Sequence, residues 1–426
     1  MQRYTDMPKS ELEAQKGILL SKYEEFKQRG LKLDMSRGKP GGDQLDLSMN
    51  VLDAVDGKHS CKSEDGTECR NYGGLDGLKE TKRLFAEIFE VGADEVIVGG
   101  NSSLTMMFDM ISLIMTHGFR GGKPWILEGG VKFLCPSPGY DRHFSITQYF
   151  GIEMITVDMT PSGPDMDAIE KLAASDEKIK GIWCVPKYSN PDGITYSDDT
   201  VRRLARLKPL AKDFIIMWDN AYAVHHLSDT PDVLLNILSE CKAAGNPDLP
   251  VMFTSTSKIS FPGAGVAAMA SSEANVSAIK KRIFVQSIGL DKLNQLRHSL
   301  IFRDMNDVEA HMKRQAKILK PKFDAVLSML ASEIAPLGIA EWQCPNGGYF
   351  VSMNTMDGCA KRVVELCKEA GVVLTGAGAT FPYGSDPRDR NIRIAPTFPP
   401  SGELKTAMEL FCICVRLASV EKLISD

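Results

Sequence analysis

A lysine stands among hydroxyl side chains in Ser255-Thr256-Ser257-Lys258-Ile259-Ser260, behind an apolar run and ahead of Gly263 and Gly265. Burial disfavours an ammonium, and only the neutral amine attacks a carbonyl, so a buried lysine here would be a nucleophile. An exposed lysine at a strand end is the plain alternative. Three more apolar runs end in polar residues. Ile215-Ile216-Met217-Trp218 leads into Asp219 and then Tyr222. A carboxylate there is costly to bury unless a cation pairs with it, although capping the next helix would also account for it. Val185-Pro186-Lys187 leads to Asn190-Pro191-Asp192-Gly193, which offers a side-chain amide and is equally a β-turn signature. Val98-Gly99-Gly100 leads into Asn101-Ser102-Ser103 ahead of a helix. Small residues there leave backbone N–H groups and the positive end of the dipole for an anion, though Asn and Ser are also ordinary caps. The GxxxxGK(S/T) phosphate loop is absent.

The elements behind these residues follow from the hydrophobic pattern. Strands are expected near 95–98, 125–127, 152–157, 181–185, 214–218 and 251–254, with helices at 78–89, 104–115, 200–210 and 232–244. Buried apolar strands alternating with helices predict an α/β fold: a mostly parallel sheet with helices on both faces. Such sheets bind ligands at the carboxyl ends of their strands, where the four polar groups fall. A helix over the first 30 residues stops at Gly30, and the run Arg37-Gly38-Lys39-Pro40-Gly41-Gly42 must be a loop. Beyond about residue 305 the texture changes to a long helix (307–330), a helix at 361–370, a strand at 392–394 and a last helix at 401–419. We therefore expect a large domain over 51–305 and a smaller α+β domain over 306–426, joined by the N-terminal segment 1–50.

With 426 residues, 43% hydrophobic and 25% charged, the chain has the composition of a globular protein. A net charge of -5 gives no footprint for nucleic acid, and no apolar run approaches the roughly 20 residues of a membrane span. No signal peptide is visible after Met1-Gln2-Arg3-Tyr4, and ten scattered cysteines without a CxxC pair read as free thiols, so a cytoplasmic protein is expected. His225-His226 lacks a third ligand at metal spacing and reads as a loop or supporting pair; no metal is expected. The Met-rich stretch from Met106 to Met115 reads as core.

Taken together, an anion cradle, an amide, a carboxylate and a lysine at successive strand ends are the set that pyridoxal 5′-phosphate needs, for its phosphate, ring oxygen, ring nitrogen and aldehyde. Through Asn190-Pro191-x-Gly193, Asp219-x-Ala221-Tyr222, Ser255-x-Ser257-Lys258 and Arg393-Ile394-Ala395-Pro396, the chain resembles the aspartate aminotransferase family of fold-type I enzymes, in particular its bacterial type Ic subgroup. The resemblance covers essentially the whole chain. It implies that Lys258 bonds the cofactor and shuttles the proton, Asp219 pairs with the pyridine nitrogen, and Asn190 and Tyr222 meet the ring oxygen. It places Tyr140 against the ring, and Asn101, Ser102, Ser103, Ser255 and Ser257 around the phosphate. Arg393 would clamp the substrate α-carboxylate, and Gly38 lies in the loop that closes over the substrate. Tyr72, in Asn71-Tyr72-Gly73-Gly74, would reach the phosphate of a partner subunit, which implies a homodimer. The family's arginine about eight residues after the lysine is missing, since that position falls in Gly265-Val266-Ala267. The residue for a substrate side-chain carboxylate is unmatched, with Arg297 and Lys292 as candidates by position. The function expected is ping-pong transfer of an amino group from an amino acid, aspartate first, to a 2-oxo acid such as 2-oxoglutarate. Aromatic amino acids or 2-aminoadipate are alternatives. A lyase or decarboxylase would use the same apparatus, and a non-catalytic sensor would need a fused DNA-binding segment for which the N-terminal stretch is too short.

Overall fold

The four apolar runs that end in polar residues all become strands of one sheet in the computed structural model, which describes residues 2–426. Its order is Val96–Val98, Ala267–Ala270, Pro250–Ser255, Ile215–Asp219, Ile179–Cys184, Lys132–Ser137, Glu153–Thr160 and Gly163–Pro164. From Pro250–Ser255 to Glu153–Thr160 every pairing is parallel, while Ala267–Ala270 runs against both neighbours. Alternation divides each central strand between two cores. Ile216, Trp218 and Met252 pack with Leu84, Phe85 and Val201 on one face. Ile215, Met217, Val251 and Phe253 pack with Met107, Met110 and Ile114 on the other. Burial on both faces is why these runs are almost wholly apolar until the strand ends.

A second, antiparallel sheet orders Ala340–Trp342, Val351–Thr355 and Asn391–Ile394, with Arg393 opposite Ser352. The N-terminal segment belongs to the same core. Leu12, Leu19, Tyr23 and Phe26 of helix Lys9–Gln28 share a cluster with Leu404, Phe411 and Val415 of helix Ser401–Ser425. Leu33–Asp34 pairs in parallel with Val372–Val373. The long helix spans Met305–Glu333.

Some expectations are corrected. Residues 125–127 form a short 3-10 turn after Pro124, and the strand lies at Lys132–Ser137. Only Trp125 of that apolar triplet is buried, its indole N–H donating to Asp213 Oδ2 at 2.7 Å, while Ile126 and Leu127 face outward. The helix expected over 232–244 is confined to Ile237–Ala243, where the Asn236 side chain caps its start. The helix expected over 200–210 is Asp198–Ala205, capped by Ser197.

Candidate active site

A cavity of about 830 Å³ opens at the carboxyl ends of the central strands. Gly38, Ser102, Ser103, Tyr140, Asn190, Asp219, Tyr222, Ser255, Ser257, Lys258 and Arg393 all line it. Asn101 stands just outside the lining, its carbonyl 3.5 Å from Ser257 Oγ. Tyr72 is not part of the cavity: the residue is 80% exposed on the surface of this chain.

Lys258 closes a 3-10 turn after strand Pro250–Ser255. Its Nζ lies 4.9 Å from the Tyr222 ring centroid and 5.8 Å from that of Tyr349. Burial holds its amine below the usual lysine range, with the Asp219 charge pulling the other way. Asp219 ends the neighbouring strand Ile215–Asp219 and is itself buried. His143 Nε2 donates to its Oδ2 at 3.0 Å, and the imidazole stacks on Trp183 at 4.3 Å and 10°. Asp219 Oδ1 has no hydrogen-bond partner among the described residues. Burial raises the Tyr140 phenol to about 12 and carries that of Tyr222 well above the usual range, so both stay protonated.

Arg393 is buried and held on several sides. Its Nη1 donates to Asp141 Oδ1 at 3.1 Å and to Asn190 Oδ1 at 3.2 Å. Its Nε and Nη2 meet Thr375 Oγ1 at 3.3 and 3.1 Å, and the guanidinium lies 4.9 Å from the Phe350 ring centroid. Gly38 packs on that same ring, and a Cβ there would sit 2.4 Å from it.

At the opposite end, Ser102 occupies the N-cap of helix Ser103–His117, yet its hydroxyl makes no capping bond. Ser255 Oγ donates to Ser257 Oγ at 3.0 Å. Hydroxyls and helix N–H groups thus gather where an anion would be received. No arginine enters. A Cβ at Gly265 would meet Phe261 O at 2.8 Å and Ser257 N at 3.3 Å, and Val266 and Ala267 are buried in the sheet. The position that carries arginine elsewhere has no room for one on this backbone.

Lys292 is excluded as a free cation, because its buried Nζ donates to Asn71 O and Gly73 O at 2.6 and 2.7 Å. Arg297 does not line the cavity, whereas Arg37 and Arg142 do, with no acidic partner among the described residues. Sequence reasoning did not single out these two, nor His143, Asp141, Thr375 or Phe350. His143 follows Tyr140 by three residues at a helix start, a spacing that places both on one face. His226 Nδ1 bonds the Tyr188 hydroxyl at 2.8 Å, and no group of residues suited to a metal ion occurs among the described residues.

The family model described as aspartate amino-transferase matches residues 7–426. The chain belongs to the aspartate aminotransferase family. It is 46% identical over 401 residues to an aspartate aminotransferase of Corynebacterium glutamicum, covering 94% of this chain and 92% of that one. The crystal structure of an aspartate transaminase from the same species superposes with a TM-score of 0.96 at 44% identity, covering 99% of both chains. At 18% identity, an α-aminoadipate aminotransferase of Thermus thermophilus, solved with N-(5′-phosphopyridoxyl)-L-leucine, shares the fold with a TM-score of 0.73, covering 92% of this chain and 93% of that one. This aminotransferase therefore has the fold-type I architecture, in a family whose members work with pyridoxal phosphate.

Proposed function

We propose that this aminotransferase moves the amino group of aspartate to 2-oxoglutarate in a ping-pong sequence, with pyridoxal 5′-phosphate held through Lys258. One observation carries the reading: the Lys258 amine, the unpartnered Oδ1 of Asp219 and the guanidinium of Arg393 belong to a single cavity. The donor set fits the cofactor. A buried acceptor left without a partner costs about 1–3 kcal/mol, and a protonated pyridine nitrogen would satisfy Asp219 Oδ1. Tyr140, Asn190 and Tyr222 would hold the ring, and Asn101, Ser102, Ser103, Ser255 and Ser257 the phosphate. Bound there, the cofactor would supply an electron sink for the substrate's α-carbon.

The chain's own residues do the rest. Arg393, its plane fixed by Thr375 and Asn190, receives the substrate α-carboxylate as a fork, and Asp141 yields its place on Nη1. Lys258 Nζ, whose charged form burial disfavours, takes the proton from the substrate Cα. His143 fixes Asp219 through Oδ2 and leaves Oδ1 for the ring nitrogen. Gly38 and Phe350 close over the carboxylate and exclude water. Arg37 and Arg142 are assigned to the distal carboxylate of a dicarboxylic substrate, since they are the cavity's arginines without an acidic partner among the described residues, whereas the Lys39 ammonium lies 3.7 Å from the Phe398 ring centroid. The amino acid and the oxo acid use the cavity in turn. Exposed Tyr72 is assigned to the cavity of a second copy, making the working unit a homodimer, and segment 1–50 is grouped with 306–426 as the smaller domain.

The test is an absorbance spectrum of the purified protein before and after addition of aspartate without any oxo acid. A visible band that bleaches supports both cofactor and donor. A band that persists with aspartate but bleaches with 2-aminoadipate or an aromatic amino acid moves the donor. No band after adding back pyridoxal phosphate overturns the cofactor assignment.

A further inference from the structure

Behind Lys258, away from the cavity, lies a polar network that the proposed chemistry does not use. Gln44, Ser48, His311 and Gln315 are 0%, 0%, 2% and 1% exposed. The first two come from the N-terminal segment and the others from helix Met305–Glu333. Gln44 Nε2 donates to the Tyr349 hydroxyl at 2.9 Å and to Gln315 Oε1 at 2.6 Å, while Gln44 Oε1 accepts from Gly41 N at 3.1 Å. Gln315 Nε2 and His311 Nε2 each reach the Ile259 carbonyl at 2.7 Å, and Ser48 Oγ reaches it at 3.3 Å. Arg314 donates to His311 Nδ1 at 3.0 Å, which leaves Nε2 as the protonated nitrogen that holds Ile259.

The network converges on Lys258 by two routes. Tyr349 stands with its ring 5.8 Å from Lys258 Nζ, and Ile259 is the next residue in the chain. Buried amides are costly unless their partners are fixed, and a satisfied network holds one geometry. Gln44 is the link between the loop that carries Gly38 and both routes.

We propose that Gln44 is a positioning residue for Lys258: by holding the Tyr349 ring beside the amine and, through Gln315, the Ile259 carbonyl beside its main chain, it makes docking of segment 41–48 set the reactivity of that amine. This rests on the reading of Lys258 as the reactive amine. The groups that face the amine are Asp219, Tyr222, His225 and Tyr349. Burial and the nearby lysine press the His225 imidazole down to about 3, so it stays neutral and Asp219 is the charge beside the amine. With the ring fixed, water is kept out and the ammonium form is disfavoured. With the ring loosened, water enters and the ammonium form regains ground.

The experiment is competitive acetylation of the full chain, free of cofactor, across a pH series, with Lys258 and exposed Lys171 quantified by mass spectrometry. The midpoint reports ionisation and the plateau reports access. Gln44→Met should move the Lys258 midpoint to higher pH, cutting its uncharged fraction at neutral pH about threefold or more. Tyr349→Phe keeps the ring, severs the hydroxyl link and should shift the midpoint the same way by less. The two together should give less than the sum. An unchanged midpoint in either variant, with cooperative melting retained, overturns the proposal, and so does strict additivity. If Lys258 of the unaltered chain titrates like Lys171, the reactive-amine reading itself fails; a low midpoint that Gln44→Met leaves in place sinks only the present proposal.

Discussion

At one end of the cavity, Lys258 and Asp219 are enclosed by Tyr222, Tyr349, His143 and His225. At the other, Ser102, Ser103, Ser255 and Ser257 gather at a helix start, and among the described residues no arginine or lysine bonds their side chains. The enclosed end works with few charges, each in a low-dielectric setting that makes its partners decisive. The hydroxyl end works with many neutral donors, none of which dominates. On the function proposed above, the same fold would concentrate the chemistry in single residues at one end and spread binding over several at the other.

The largest expected effect tests that concentration. Lys258→Ala should lower turnover by at least about a thousandfold while some pyridoxal phosphate still binds, read by steady-state assay beside the absorbance of bound cofactor. Turnover within about tenfold of the unaltered enzyme would break the contrast. At the other end, Ser102→Ala and Ser257→Ala should each weaken cofactor binding only about tenfold, the net worth of one hydrogen bond to a charged group at about 1.5 kcal/mol, measured by titrating cofactor-free protein. A loss of about a thousandfold from either serine would place a decisive group there after all. The smallest effect sharpens the enclosed end. The His225 imidazole, pressed from 6.5 to about 3, stays neutral in the folded chain while the unfolded chain takes up a proton. Between those values the unfolded state binds more protons, so stability rises with pH and is lost as pH falls from 6.5 toward 3. In His225→Phe, thermal melts should show a shallower decline over that window, and parallel curves would remove His225 from the account.

Much of this was legible in the chain order. Asn101, Asn190, Asp219 and Lys258 follow apolar stretches that read as strands buried on both faces, so their strand ends could be read as one rim. Ala267–Ala270 was not legible, since Ala-Ala-Met-Ala prefers helix and becomes a strand only by pairing on both sides. Trp125-Ile126-Leu127 misled for the opposite reason, an apolar triplet of which two residues face outward. The supports of the site lay further out of reach. Gln44 and Gln315 are 271 residues apart, and Thr375 meets Arg393 across a turn of the fold that no local spacing announces. Only His143 left a local trace, in its distance from Tyr140.

The lysine withdrawn from the cavity has a consequence of its own. Lys292, 3% exposed, spends its charge inward on the carbonyls of Asn71 and Gly73, one on each side of Tyr72. A cation buried beneath a surface loop stiffens it from within, so the most outward-facing tyrosine rides on one of the better anchored turns. If Tyr72 meets a second copy as proposed above, that contact loses little freedom, because its backbone is ordered before the encounter. The handshake between subunits would then be decided at folding, and assembly would only bring two finished surfaces together.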